Sequence, residues 1–315
     1  MSSFVEIENL VKTFGGGGFG KRGKSFTAVD GVSLSIDKNA VYGLVGESGC
    51  GKTTLSRALL YLDPPTAGSI LVDGTELGGL GRRGLRDFRR RVQIVFQDPN
   101  SALNPKMSIG ASIREGLDNI RYEKQKLDQR VDELLDMVGI SPNHKGRYPH
   151  EFSGGQKQRI VIARALAVEP DFLILDEPVS NLDVSIQAQI INLLLDLKEK
   201  LSLTFLFISH DLNLVSYLSD RIAVMYRGQI VEEADAEKIM EKPLHPYTLK
   251  LFSSIPGINP IDDESGAVDY HVDEPGYAQG LPAGYVFAAA DPAAEAVFLE
   301  IEDGHKVACF KEISG

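Results

Sequence analysis

Gly46-Glu47-Ser48-Gly49-Cys50-Gly51-Lys52-Thr53, followed by Thr54, is a G-x-x-x-x-G-K-T run. Glycines at those places let successive backbone N–H groups turn inward on an anion. The lysine then reaches the outer phosphates of a nucleotide, and the threonine hydroxyl can ligate magnesium. One such loop can hold a nucleotide alone. Far downstream, Phe152-Ser153-Gly154-Gly155-Gln156-Lys157-Gln158-Arg159 sets a second glycine turn at the start of a second helical stretch. That is a spare anion site with no nucleotide of its own to hold. The economical explanation is that it closes over a nucleotide bound by another subunit.

Phe172-Leu173-Ile174-Leu175-Asp176-Glu177 is an apolar run ending in two carboxylates. Asp176 is placed to hold Mg²⁺, since a hard cation takes oxygen ligands and keeps several waters. Glu177 could orient or deprotonate an attacking water. Two solvated acids at a strand end would be an ordinary reading of this pair alone; a phosphate loop in the same chain favours the catalytic one. Gln97 and His210 each follow an apolar run, Val92 to Phe96 and Thr204 to Ile208. The carboxyl ends of strands are where open α/β sheets bind ligands. A neutral amide suits a place sensing metal and water, and a histidine can bond to a γ-phosphate. A lone histidine is more often structural, so His210 draws its role from Asp176 and Glu177. Together these groups read as an ATP-driven dimerisation motor rather than a simple kinase or GTPase.

Such groups need elements to position them. Val41 to Val45 is a short buried strand feeding the phosphate loop, and Lys52 to Leu60 begins the next helix, the context that the motif requires. Phe4 to Glu8 and Val32 to Ile36 alternate like half-buried strands. Ser69 to Val72, Val92 to Phe96, Phe172 to Leu175, Thr204 to Ile208 and Ile222 to Met225 are further strand candidates. Ile186, Ile190, Leu193, Leu194, Leu197 and Leu201 recur as one helical apolar stripe. Strands alternating with helices predict a mostly parallel α/β core. Met107 to Leu117 and Leu127 to Val138 look helical with no strand between, which suggests an inserted helical subdomain. No internal repeat is present, so the chain is one nucleotide-binding unit.

Apolar residues make up 43% and charged residues 24%, ordinary for a globular chain. The net charge of −11 is uneven: residues 257–315 hold 2 Lys/Arg against 12 Asp/Glu. That acidic tail argues against nucleic acid as the main partner. Six arginines lie between Arg82 and Arg91, and a solvated helix face explains them better than a nucleic-acid site. Residues 15–24 form a glycine-rich basic loop, read as a solvent-exposed hairpin insertion. Cys50, inside the phosphate loop, and Cys309 are the two cysteines. A disulfide between them is not expected, and a reducing compartment is. No signal peptide or membrane-spanning run is recognisable, so the chain is expected not to cross a membrane by itself.

The phosphate loop, Gln97, Ser153 to Gln156, Asp176-Glu177, Asp183 and His210 stand in an order and spacing that resemble the ATPase subunits of ABC transporters, over roughly the first 250 residues. Gln97-Asp98-Pro99-Asn100-Ser101-Ala102-Leu103-Asn104-Pro105, Asp176 to Ser185, and His245-Pro246-Tyr247-Thr248 narrow the resemblance to the oligopeptide/dipeptide/nickel importer branch. It implies a P-loop NTPase fold: a RecA-like α/β core, an N-terminal antiparallel β-subdomain and a helical subdomain inserted at about residues 98–165. It also implies an ATP-binding domain over residues 1–255 and a small C-terminal extension over residues 256–315.

Function follows the same resemblance. The chain would hydrolyse ATP, with Mg²⁺ at Thr53, Gln97 and Asp176, to energise uptake of peptides or a related solute such as nickel. Two such subunits would sandwich two nucleotides head to tail. Gly46 to Thr54 would bind one nucleotide, and Ser153, Gly154, Gly155 and Gln156 would bind the γ-phosphate held by the partner. Asp183 would couple the two sites, with Glu177, His210 and Gln97 as the catalytic set. Phe14 would stack on adenine, with Phe26 as its rival. The partners implied are a second ATPase subunit, a paralogue before an identical copy, membrane permease subunits, and indirectly an extracytoplasmic solute-binding protein, all at the cytoplasmic face of the membrane.

Two departures stand out. Relatives commonly have Ala where this chain has Asn181, and many carry several tail cysteines that bind an iron–sulfur cluster. Only Cys309 remains here, and one thiolate cannot supply the roughly four ligands a cluster needs, so no cluster is expected. His271, His305 and Cys309 could form a metal site, but scattered residues make a structural role the better reading. A soluble ABC-type ATPase or an exporter subunit is the competing function. The former usually needs a tandem unit, a coiled coil or zinc-binding cysteines. A GTPase or small-molecule kinase would leave the Ser153 turn unexplained.

Overall fold

A computed structural model describes residues 3–15, 25–253, 280–287 and 296–311 of the chain. It opens with β1 (Ser3–Phe14) and β2 (Phe26–Asp37) and returns through β3 (Val41–Val45), which feeds the phosphate loop and α1 (Lys52–Leu59). Next come β4 (Ala67–Val72), β5 (Thr75–Glu76), α2 (Arg82–Arg91) and β6 (Val92–Val95). Four helices follow without a strand: α3 (Pro99–Ala102), α4 (Ile109–Asn119), α5 (Leu127–Met137) and α6 (Gly154–Leu166). Then β7 (Phe172–Asp176), α7 (Val184–Leu201), β8 (Thr204–Ser209), α8 (Leu212–Leu218) and β9 (Arg221–Tyr226) alternate. After β10 (Gln229–Asp235) lie α9 (Ala236–Glu241), α10 (Pro246–Ser253), β11 (Tyr285–Val286), β12 (Val297–Glu302) and β13 (His305–Lys311).

The N-terminal sheet is antiparallel, ordered β2-β1-β4-β5. The larger sheet runs β11-β13-β10-β9-β3-β8-β7-β6, with β12 paired to β13. Its section β9-β3-β8-β7-β6 is parallel. Strands buried on both faces read as unbroken apolar runs, and every residue of β3, β7 and β8 is buried. One core cluster joins Val45, Leu175 and Phe207 to Ile113, Leu134 and Ile160 of the helices. A second fills the space between the two sheets around Leu34, Leu44 and Ile174. The result is the α/β P-loop fold with an antiparallel N-terminal sheet.

Several boundaries shift for local reasons. β6 stops at Val95, leaving Phe96 exposed, because Asp98 caps α3 by accepting from the N–H groups of Asn100 and Ser101. α4 begins at Ile109 rather than Met107, since the Ser108 hydroxyl caps it through the Ala111 N–H. α2 buries only Phe88, and Arg91 is tied to Asp73 and Asp171. The apolar stripe of α7 buries Ile190, Leu194 and Leu197 but leaves Leu201 exposed. The tail holds a departure in kind: β13 extends the main sheet, pairing antiparallel with β10. Residues 16–24 of the glycine-rich loop, the start of the tail at Ile255-Pro256-Gly257, and His271 lie outside the described residues.

Candidate active site

The parallel section of the sheet aims its carboxyl ends at one place. β3 ends in the phosphate loop, β7 ends in Asp176-Glu177, His210 directly follows β8, and Gln97 lies two residues beyond β6. The loop is pinned by close backbone packing. A Cβ on Gly46 would lie 2.3 Å from the Met225 carbonyl oxygen, and one on Gly51, at φ +117°, 2.4 Å from that of Ala28. Only glycine fits at either place. Gly51 is the N-cap of α1 and no side chain caps the helix, so its first N–H groups remain for an anion. Lys52 Nζ spans the loop, donating to the carbonyls of Gly46 at 2.6 Å and Glu47 at 2.9 Å. Burial pushes the Cys50 thiol up, which keeps it an inert neutral neighbour of Lys52.

Asp176 is only 6% exposed. Burial, then the neighbouring Glu177 charge, push its carboxyl up, while a hydrogen bond from Thr53 and the Lys52 charge pull it down. A buried carboxylate bonded to a threonine hydroxyl is an oxygen donor set that suits a small divalent cation. Glu177 adopts φ +48°, an uncommon conformation that places it under two side chains. Gln97 Nε2 donates to its Oε2 at 3.0 Å, and His210 Nδ1 lies 3.3 Å from its Oε1. Glu177, His210, Glu47 and Ser48 line one cleft of about 470 Å³ with Lys250 and Leu251 of α10. The cleft therefore brings Glu47 and Ser48 of the phosphate loop beside a carboxylate that meets Gln97 and His210.

The second glycine turn is built elsewhere. Ser153 caps α6 through a capping box: its Oγ accepts from the Gln156 N–H at 3.3 Å, and Gln156 Oε1 accepts from the Ser153 N–H at 3.0 Å. Ser153, Gly154 and Gln156 are exposed, and none of them lines the cleft. Gly155 is buried against α7, where a Cβ would lie 2.4 Å from Cγ2 of Ile186. Asp183 is the exposed N-cap of α7 and makes no side-chain cap bond. Phe14 and Phe26 face each other in the β1–β2 register, 42% and 63% exposed, and Lys12 Nζ sits 5.2 Å from the Phe14 ring centre. Asn181 Nδ2 reaches the Gln97 carbonyl at 3.5 Å, which links the segment after β6 to the segment after β7.

The tail residues take structural places. His305 Nε2 meets Glu232 Oε1 at 2.7 Å, and Cys309 Sγ faces the Val297 carbonyl at 3.6 Å. Four residues of strand, about 13 Å, separate the two, too far to share a metal. Among the described residues no three His, Cys, Asp or Glu side chains gather as a metal-holding group. Sequence reasoning missed Tyr247 as a site residue: its hydroxyl accepts from the Glu47 N–H at 2.8 Å. The His245-Pro246-Tyr247-Thr248 run was the available signal, though nothing local says that it touches the loop.

This site and fold define an ATP-hydrolysing P-loop protein of the ABC type. Residues 29–180 match the ABC transporter family, and residues 231–289 match the oligopeptide/dipeptide transporter C-terminal region. The chain is 53% identical to the oligopeptide transport ATP-binding protein OppF of Bacillus subtilis, over 73% of this chain and 76% of that protein. It is 50% identical to the dipeptide transport ATP-binding protein DppF of Lactococcus lactis, over 82% and 83% respectively. Among solved structures, cbiO1 of Clostridium perfringens, part of the ABC transporter complex cbiONQ, aligns with a TM-score of 0.68 at 27% identity, covering 80% of this chain and 96% of that one. The ATP-binding cassette MJ0796, dimeric in a post-hydrolysis state with ADP and phosphate, aligns at 0.65 and 28% identity, over 74% and 98%. The chain belongs to the oligopeptide/dipeptide transport ATP-binding branch of the ABC transporter family.

Proposed function

We propose that this chain hydrolyses ATP within a two-subunit assembly at the cytoplasmic face of a membrane, and so drives peptide uptake through a permease. The observation that carries the reading is that Gln97 and His210 both meet Glu177, and that Glu177 and His210 line one cleft with Glu47 and Ser48 of the phosphate loop. Gly46 to Thr54 would cradle the phosphates, with Lys52 leaving the loop carbonyls for the β- and γ-phosphates. Thr53, Asp176 and Gln97 are the oxygen donors that would hold Mg²⁺, which when bound neutralises charge on the phosphates. Glu177 would take the proton of the attacking water, held in place by Gln97 and by His210, which would also contact the γ-phosphate.

Ser153, Gly154 and Gln156 are exposed and lie outside the cleft, which supports their use on a nucleotide held by a second ATPase subunit. Val184, 80% exposed beside Asp183, gives that face an apolar residue to bury. The branch favours a paralogue as that subunit, though a second copy satisfies the same geometry. Phe14 would stack on the adenine, with Phe26 across from it. Peptide as solute rests on the named substrates of the relatives, and solute choice would lie in the permease and an extracytoplasmic binding protein. Among the described residues no helix is long and apolar enough to cross a membrane, so attachment would be through the permease.

Glu177→Gln tests the catalytic reading. The variant is expected to bind Mg-ATP like the wild type while turnover falls by about 10² to 10⁴. Phosphate release at saturating ATP measures this, and undiminished hydrolysis would remove Glu177 from the role of base.

A further inference from the structure

The phosphate loop is also gripped by a residue outside the proposed catalytic set. Tyr247, fully buried on α10, accepts the Glu47 N–H with its hydroxyl at 2.8 Å and lays its ring 4.2 Å from that of Tyr226. Its own N–H donates to Nδ1 of His245 at 3.1 Å. The segment leading into α10 is fixed in turn: the N–H groups of Leu244 and His245 donate to Oε1 and Oε2 of Glu232 at 2.8 and 3.0 Å. Glu232, on β10, is fully buried, and its Oε1 also meets Nε2 of His305 on β13 at 2.7 Å. A carboxylate tolerates such a place only when donors meet its oxygens. Here three do. An unbroken series of bonds therefore runs from the C-terminal hairpin to the phosphate loop.

The loop's other arm is held differently, by the Gly228 N–H on the Cys50 carbonyl and by Gly51 against Ala28. On the Glu47 side the tyrosine hydroxyl fixes the orientation of a peptide group directly before those that must face a phosphate. A site fixed in its binding geometry spends less of its interaction energy on ordering. We propose that Tyr247 is a positioning residue for the phosphate loop, and that Glu232 and His305 act through it, so that the C-terminal hairpin sets nucleotide affinity. This rests on the reading of the loop as the nucleotide site.

Calorimetric titration of the full chain with Mg-ATP tests it. Tyr247→Phe keeps the ring packing and removes one acceptor, so Kd should rise about 3- to 10-fold, the worth of one hydrogen bond. Turnover at saturating ATP should stay within about twofold, because no transition-state contact is lost. His305→Ala should weaken binding in the same direction, and His305→Gln, which retains a donor, should restore it. In the Tyr247→Phe/His305→Ala double variant the two losses should not multiply, since both act through one bond. If His305→Ala does not fold, Glu232→Gln takes its place, with the same non-multiplying loss expected. Unchanged binding by Tyr247→Phe, or losses that multiply, would overturn the proposal. A wild-type chain that fails to bind Mg-ATP would instead refute the loop reading, a separate failure.

Discussion

Glycine positions carry much of the site, each for a different neighbour. Gly46 and Gly51 are small because backbone oxygens lie against them, whereas Gly155 is small because of a side chain, Ile186 of α7. That contact packs the turn that opens α6 against the helix that begins after Asp183, so the two halves of the proposed interface lie directly together. The contacting Cγ2 methyl of Ile186 is bonded directly to Cβ, so it moves only by a change of χ1, which a β-branched side chain in a helix resists. Gly155→Ala would gain about 1 kcal/mol of helix propensity and lose about 1 to 3 kcal/mol to overpacking. The clash is expected to win, giving a net loss of up to about 2 kcal/mol. Urea unfolding would read it as a lower midpoint, and Gly155→Ala/Ile186→Ala should recover part of the loss. A Gly155→Ala chain as stable as the wild type would mean that α7 yields freely at this contact.

Among the elements, what the sequence made legible was whatever a local pattern dictates. β3, β7 and β8 announce themselves as apolar runs because both of their faces are covered, and the glycine turns announce their helices. β10 gave no such sign. Glu232 and Glu233 within it look like solvated hairpin residues, yet both are buried: Tyr42 and His305 reach them from distant parts of the chain, and Arg221 from the neighbouring strand β9. Partners that far apart leave no local pattern. The same holds for α10, whose contact with the phosphate loop spans 200 residues. Burial in this element carries a testable cost. It holds the His245 imidazole down at about 3 against an ordinary 6.5, and the Tyr247 N–H occupies the nitrogen that a proton would need. Between those values the unfolded chain binds the extra proton and the folded chain does not. The stabilisation is whole above pH 6.5 and declines as the pH falls toward 3, by about 1.4 kcal/mol per unit. Unfolding midpoints of the wild type should drop between pH 6.5 and 5, and His245→Gln should flatten that slope. Equal slopes in the two proteins would assign the loss to other groups.

At the scale of the whole molecule, the decisive feature is that the two glycine turns, both proposed to take phosphate, are built in different places of one chain. The cleft gathers the phosphate loop, Glu177 and His210, while Ser153 and Gln156 spend their side chains on capping α6 and leave its start exposed. On the proposed function a second subunit brings the missing half, and the exposed Asp183 and Val184 beside Gly155's neighbour Ile186 lie on the face that would receive it. This arrangement separates binding from closure, which makes the two experimentally distinct. In the Glu177→Gln background, slow turnover should let Mg-ATP drive association with a second ATPase subunit, whether a copy or the subunit that co-purifies with it. Sedimentation velocity with and without nucleotide would detect that complex. Adding Ser153→Arg puts a bulky side chain at the start of α6, on the surface that must approach the partner's γ-phosphate. Association should then be lost, while the Kd of the single chain for Mg-ATP stays within about twofold of its parent. Loss of nucleotide binding by the isolated Ser153→Arg chain would make the turn part of that chain's own site, and the requirement for a second subunit would fall with it.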